Sequence, residues 1–237
     1  MNLKKSVAIL ILGFAAAGAV FAQAEPHKKN ERPSNGKPSQ HSSVPEKPDF
    51  FYEFSQPNFV VKTIRIQHGV DGGGKITFTR KGYEEDITDP LQVSAAAMER
   101  IGAALVELDF LNSKENYQYE KDYSHLGNIT FRLERNGKQR ETTFNWTENK
   151  AAKMLADEYR KISNQYIWQF DIGVARQNQP LEAPKLMNAL DSMLRRDEIS
   201  DPKQMVPLLK KLSEDERIPL IARNHAKKMA DRINTGK

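Results

Sequence analysis

Between residues 60 and 170 the apolar residues change period three times, from two to between three and four, back to two, and again to between three and four, and this pattern restricts the chain to few folds. Val60, Ile64 and Ile66, then Ile76 and Phe78, alternate with Lys62, Arg65, Thr77 and Thr79, as paired strands require. The run His68-Gly69-Val70-Asp71-Gly72-Gly73-Gly74 between them is a turn rich in residues that accept positive φ. After Asp89-Pro90, Ser94 can cap a helix whose Val93, Ala97, Ile101, Ala104, Leu105, Leu108 and Leu111 fall on one face. The order then repeats. Ile129, Phe131 and Leu133 lead into an Asn136-Gly137 turn, and Thr142, Phe144 and Trp146 return from it. Counting outward from that turn pairs Ile129 with Phe144 and Arg132 with Glu141. Thr147 can cap a second helix, striped by Ala152, Leu155, Tyr159, Ile162, Tyr166 and Phe170. The expected fold is α+β: an antiparallel sheet of two β-hairpins with helices on one face, in the order ββαββα, over residues 49–178.

Residues 179–237 form a small α-helical appendage in this reading. Leu186, Leu190, Met193 and Leu194 stripe a first helix, and Asp201-Pro202 opens a second with Met205, Leu208, Leu209 and Leu212. Ser213 to Glu216 fits a capping box ahead of a helix striped by Leu220, Ile221, Ala226, Met229, Ala230 and Ile233, with Gly236 at its stop. The last two segments, around Met205–Leu212 and Ile221–Met229, resemble one HEAT-type helical hairpin, with Asp215 and Arg223 near that family's turn aspartate and helix arginine. The resemblance covers about 30 residues and implies helix-on-helix packing and a partner surface, and no catalysis. Pro219 and the long Glu214–Pro219 turn depart from the family's spacing. The preceding α+β segment is similar in layout to uncharacterised secreted bacterial proteins.

The N-terminus reads as an address. Lys4 and Lys5 precede the uncharged apolar run Val7–Val20, and small residues around Ala22 and Ala24 follow, as in a secretory signal occupying residues 1–24. The run falls short of the roughly 20 residues that span a bilayer, so cleavage after Ala22 or Ala24 and a periplasmic or extracellular protein with no membrane span are expected. Residues 25–48, with Pro26, Pro33, Pro38, Pro45 and Pro48 and no apolar periodicity, read as a disordered tether. The 237 residues contain no Cys, which excludes disulfides, thiolate metal sites and thiol nucleophiles. The formal net charge of +5 is carried mainly by the ends. The signal holds Lys4 and Lys5 without an acid, and the tether holds Lys28, Lys29, Arg32, Lys37 and Lys47 against Glu25, Glu31 and Glu46. A nearly neutral body argues against a nucleic-acid partner.

No catalytic signature stands out. Gly69 to Lys75 has the spacing of a P-loop, but Ile76 stands where the magnesium-binding Ser or Thr is needed, and a strand follows in place of a helix. There is no H-E-x-x-H, no G-x-S-x-G and no EF-hand loop, so no cofactor and no metal are expected. The sequon spellings at Asn128 and Asn145 overlap expected strands and are read as chance. His68 with Asp71, and Asp122 with His125, are the one possible acid–base or metal set, and they meet only if the two hairpins adjoin. Phe50, Phe51, Tyr52, Phe54 and Phe59 either staple the tether to the core or form an exposed patch. Tyr117, Tyr119 and Tyr123 lie in a polar connection, residues 112–126, long enough to be functional. The expected function is an exported, non-enzymatic binding or scaffold protein, with Tyr117, Tyr119, Tyr123, Phe50 and Phe51 as ligand or partner surface and an envelope or extracellular protein as the expected partner. The alternative is a small secreted hydrolase or metal-dependent enzyme using His68, Asp71, Asp122 and His125.

Overall fold

A computed structural model describes residues 49–236; the signal and tether expected over residues 1–48 lie outside the described residues. The fold is α+β. Strands β1 (Phe50–Ser55), β2 (Val61–His68), β3 (Gly73–Arg80), β4 (Ile87–Gln92), β5 (Asn128–Arg135) and β6 (Lys138–Phe144) form one antiparallel sheet in the order β4-β3-β2-β1-β5-β6. Helices α1 (Ala95–Glu107) and α2 (Lys150–Asn178) cover one of its faces, and α3 (Ala183–Arg195), α4 (Pro202–Ser213) and α5 (Leu220–Thr235) complete the chain.

Both hairpins keep the register that alternation dictates. Ile66 pairs with Ile76 and Ile64 with Phe78, while Ile129 pairs with Phe144 and Arg132 with Glu141 across the turn at Asn136 (φ 53°) and Gly137 (φ 73°). Two further strands join them. The aromatic segment from Phe50 does anchor the chain in the core, and it does so as a strand: as β1 it runs through the middle of the sheet, paired with β2 and β5. Phe50 and Tyr52 point into the core, while Phe51 lies on the open face beneath the Arg132 guanidinium, 4.4 Å from its ring centre. β4 holds Pro90, which lacks a backbone donor and is tolerated because β4 is an edge strand.

Two hydrophobic cores result. The first packs Ile66, Ile76, Phe78 and Phe131 of the sheet against Ile101 of α1 and Leu155, Tyr159 and Ile162 of α2. The second packs Trp168, Ile172 and Ala175 of the same α2 against Met187, Leu190, Met205, Leu209, Ala222 and Ala226 of the last three helices. The helical appendage therefore docks on the body through α2. A polar seam closes the joint: the Arg100 guanidinium holds Glu158 at 2.7 and 2.8 Å and donates to the Ser200 carbonyl at 2.9 Å. Gln165 accepts from the Asp201 amide at 3.2 Å and donates to Gln204 at 2.9 Å.

Helix ends follow the sequence at Ser94, Asp201 and Gly236 and differ from it elsewhere. Asn149 caps α2, and Thr147 instead accepts from the Asn149 amide at 3.2 Å, one step outside the helix. Ser213 ends α4 and caps nothing; Asp215 orders the following turn, accepting from the Arg217 amide at 3.1 Å and from the side chains of Arg217 and Arg176. Those two guanidiniums, Arg217 first, outweigh burial and hold the Asp215 carboxyl far below its ordinary value.

Two glycines give opposite expectations. A Cβ on Gly74 would lie 1.9 Å from the Gln67 carbonyl oxygen and 2.7 Å from the His68 Cα, both backbone atoms, whereas a Cβ on Gly173 of α2 meets nothing within 4 Å. Gly74→Ala is expected to cost roughly 2 kcal/mol or more through overpacking, and Gly173→Ala to stabilise by about 0.5–1 kcal/mol through helix propensity. Urea unfolding midpoints moving in the same direction for both would contradict this packing.

Candidate functional site: an aromatic platform

The first sequence-derived set does not assemble. β1 lies between the two hairpins, so they do not adjoin. His68 pairs with Phe50 at one end of β1, while Asn128, just after His125, pairs with Ser55 at the other end. Five strand residues separate these rows, about 17 Å. Each member has a structural partner. Asp71 accepts from the Gly73 amide at 2.9 Å and shapes the β2–β3 turn. Asp122 accepts from Asn145 Nδ2 at 2.6 Å. Among the described residues no cluster of three or more His, Cys, Asp or Glu side chains is placed to hold a metal.

His68 is a core residue, 1 % exposed. Nδ1 faces the Gly69 carbonyl at 2.9 Å and so must donate, which leaves Nε2 to accept from the Tyr159 hydroxyl at 2.8 Å. Its ring stacks on Phe50 at 4.6 Å, and Tyr159 stacks in turn on Tyr52 at 4.9 Å. Burial lowers the imidazole pKa from its ordinary value, with the Gly69 carbonyl opposing, and burial pushes both tyrosine hydroxyls up. The unfolded chain binds the proton first as pH falls, so this neutral histidine stabilises the fold above its ordinary pKa near 6.5 and loses that contribution progressively below it. The urea midpoint of the wild type is expected to fall more between pH 7 and pH 5 than that of His68→Phe; equal slopes would remove His68 from the pH dependence.

The second set divides. Phe50 and Tyr117 are buried, and the Tyr117 hydroxyl accepts from Arg140 at 3.0 Å, so both leave the surface; Phe51 belongs to the open face of the sheet. Tyr119 and Tyr123 remain half-exposed and stand together, ring centres 6.3 Å apart and 19° from parallel. Trp146, 40 % exposed, packs 5.7 Å from Tyr123, with His125 6.0 Å from Tyr123 on another side. Lys121 lies over Tyr123 at 5.2 Å and Lys153 over Trp146 at 5.5 Å. Together they form an exposed aromatic platform with cationic margins.

Asn145 fixes this platform. Its Nδ2 holds Asp122, its Oδ1 accepts from Gln118 Nε2 at 3.0 Å and from the Tyr123 amide at 3.1 Å, and its own amide donates to Gln118 Oε1 at 2.9 Å. The Tyr119 amide donates to the Trp146 carbonyl at 2.9 Å, and Gln56 Nε2 clamps the Ser124 and His125 carbonyls, each at 2.9 Å. An irregular connection is thereby held by the side chains of Asn145 and Gln56 and by the Trp146 carbonyl. Trp146 escaped the sequence reading because parity along β6 places it inward with Phe144; the strand ends at Phe144 and the chain turns it out. The signal available was the run Asn145-Trp146-Thr147, a tryptophan flanked by turn-forming polar residues.

Family models and curated proteins give no match to this chain.

Asn145→Ala removes three side-chain hydrogen bonds, each worth about 1 kcal/mol. Trypsin is expected to cut this variant after Lys114 or Lys121 at least ~10-fold faster than the wild type, since ~1.4 kcal/mol of lost local stability is tenfold in open population. Unchanged cleavage rates would show that the connection is held by other contacts.

Proposed function

We propose that the chain is an exported, non-enzymatic binding or scaffold protein whose contact surface is the platform of Tyr119, Tyr123, His125 and Trp146. The carrying observation is that a half-exposed aromatic cluster sits on a connection immobilised by Asn145 and Gln56. Large aromatics left at the surface lose apolar hydration cost when a partner covers them, and a pre-fixed loop spends little conformational entropy on binding. The cationic margins at Lys121 and Lys153 favour a partner with acidic groups around an apolar centre.

Export rests on the tripartite N-terminus, and no helix of the described residues is long and apolar enough to cross a membrane. The partner in this reading is an envelope or extracellular protein. In the same reading α4 and α5 are a single HEAT-like hairpin. Buried Leu209, Leu212, Ala222 and Ala226 join its two helices, so it serves mainly to cap α2.

The test places a photo-crosslinking residue at position 119 of the full chain in the exporting cell, with position 77 on the open face of the sheet as control. An adduct of discrete mass from position 119, absent from position 77 and lost in Trp146→Ala, is expected. Adducts of equal yield from both positions, or a yield indifferent to Trp146→Ala, would remove the platform as the contact surface. Fractionation of the same cells tests export: retention in the cytoplasm would overturn that part of the reading.

A further inference from the structure

A concavity lies at the polar seam, whose Arg100 and Ser200 help to line it. α1, the ends of α3 and α5 and the start of α4 surround a groove of about 600 Å³, within the size range of small-molecule sites. Its apolar lining comes from Ala96, Leu194, Pro202 and Ile233, and its charged lining is mainly cationic: Arg100, Arg195, Lys203 and Arg232, against Asp201 alone. The interior gap beneath Phe50 and Tyr159, about 10 Å³, holds no more than a water and does not compete as a site.

The acids near the groove are already committed. Asp191, largely buried, is gripped by Arg195 and Arg232, the latter at 2.5 Å; burial works to raise its pKa, and the two guanidiniums, Arg232 first, outweigh this and keep it below the ordinary value. Glu158 is held by Arg100 and by the Ser200 hydroxyl at 2.5 Å. The Asp201 carboxylate accepts from the Lys203 amide at 3.0 Å, as the cap of α4. The donors are not exhausted. Among the described residues no hydrogen bond or ion pair engages the Lys203 ammonium, and Arg232 uses only Nη2 on Asp191, leaving Nε and Nη1 free. Those free nitrogens are not buried, so water solvates them until an anion replaces it.

We infer that this groove binds a small amphipathic anion, its carboxylate or phosphate head between Lys203 and Arg232 and its apolar body along Ala96, Leu194 and Ile233. Charge complementarity selects the head, and the apolar lining requires more than a bare ion. The site is independent of the aromatic platform, and neither needs the other.

Sodium decanoate is a suitable probe, titrated into the full chain and followed by amide chemical shifts, with decanamide and inorganic phosphate as comparison arms. Decanoate is expected to shift the amides of Ala96, Lys203 and Gly236, with decanamide and phosphate each binding at least ~10-fold more weakly, since loss of either half of the recognition forfeits about 1.4 kcal/mol or more. Lys203→Glu and Ala96→Glu, both at exposed positions, are each expected to weaken decanoate at least ~10-fold without moving the urea midpoint. No shift with decanoate, equal affinity for decanamide, or undiminished binding by both variants would overturn the inference. Phosphate binding as tightly as decanoate would overturn the amphipathic class and leave a simple anion site in its place.

Discussion

Helix α2 is the element on which the rest depends, because its 29 residues belong to both hydrophobic cores. At 1.5 Å per residue it is about 43 Å long, longer than either core alone requires. Its first half offers Leu155, Tyr159 and Ile162 to the sheet, and its second half offers Trp168, Ile172 and Ala175 to the last three helices. A sheet with one covered face and a short bundle of three helices would each be poorly closed alone. A continuous helix gives each a wall and sets their distance and orientation without a linker. The rod is also tied along its length: Arg80 at the end of β3 pairs with Asp171, and the Tyr166 hydroxyl both donates to and accepts from the backbone of Gln92 at the end of β4.

Where the two cores meet, the contact is polar, and it is satisfied. Glu158, Ser163 and Gln165 are buried on a helix that could have carried leucine at those positions. Glu158 has Arg100 and Ser200, Ser163 donates to the Tyr159 carbonyl at 2.8 Å, and Gln165 has the Asp201 amide and Gln204. An apolar seam would have merged the cores and allowed the helices to slide along α2. Directional bonds to Ser200, Asp201 and Gln204 instead fix the start of α4 to one register, at a cost in desolvation that the completed pairs offset.

The hairpins, the helical stripes and the α+β class were legible because each depends on periodicity within a short window. The pairing of Ile129 with Phe144 follows from counting out of Asn136-Gly137, and the stripe from Ala152 to Phe170 from its 3.6-residue repeat. β1 was not legible as a strand. Phe51 interrupts the alternation of an aromatic run, and its second neighbour, β5, lies more than 70 residues away, so no local pattern announces the pairing. β4 was hidden by Pro90, which reads as a break unless the segment is known to lie at an edge. Missing β1 had a functional consequence, since with β1 absent the two hairpins adjoin and His68, Asp71, Asp122 and His125 form a credible site. One inserted strand moves the pairs to opposite ends of the sheet. Of the aromatic set, residue type alone could not separate the buried Tyr117, held by Arg140, from the half-exposed Tyr119 and Tyr123.

The aromatic platform and the cationic groove each touch α2 through one side chain. Lys153, which overlies Trp146, and Glu158, which anchors Arg100 and Ser200 at the groove, are five residues apart on it, about 7.5 Å along the axis and roughly 140° around it. The two surfaces therefore face different directions and are separated by rigid helix. A ligand in one does not occlude the other: Asn145 and Gln56 hold the platform, and the Glu158 seam holds the groove. Opening that seam would leave a buried carboxylate without its guanidinium, which costs several kcal/mol. The two surfaces are thus carried on one spine at a fixed separation, the geometry that the proposed scaffold reading calls for.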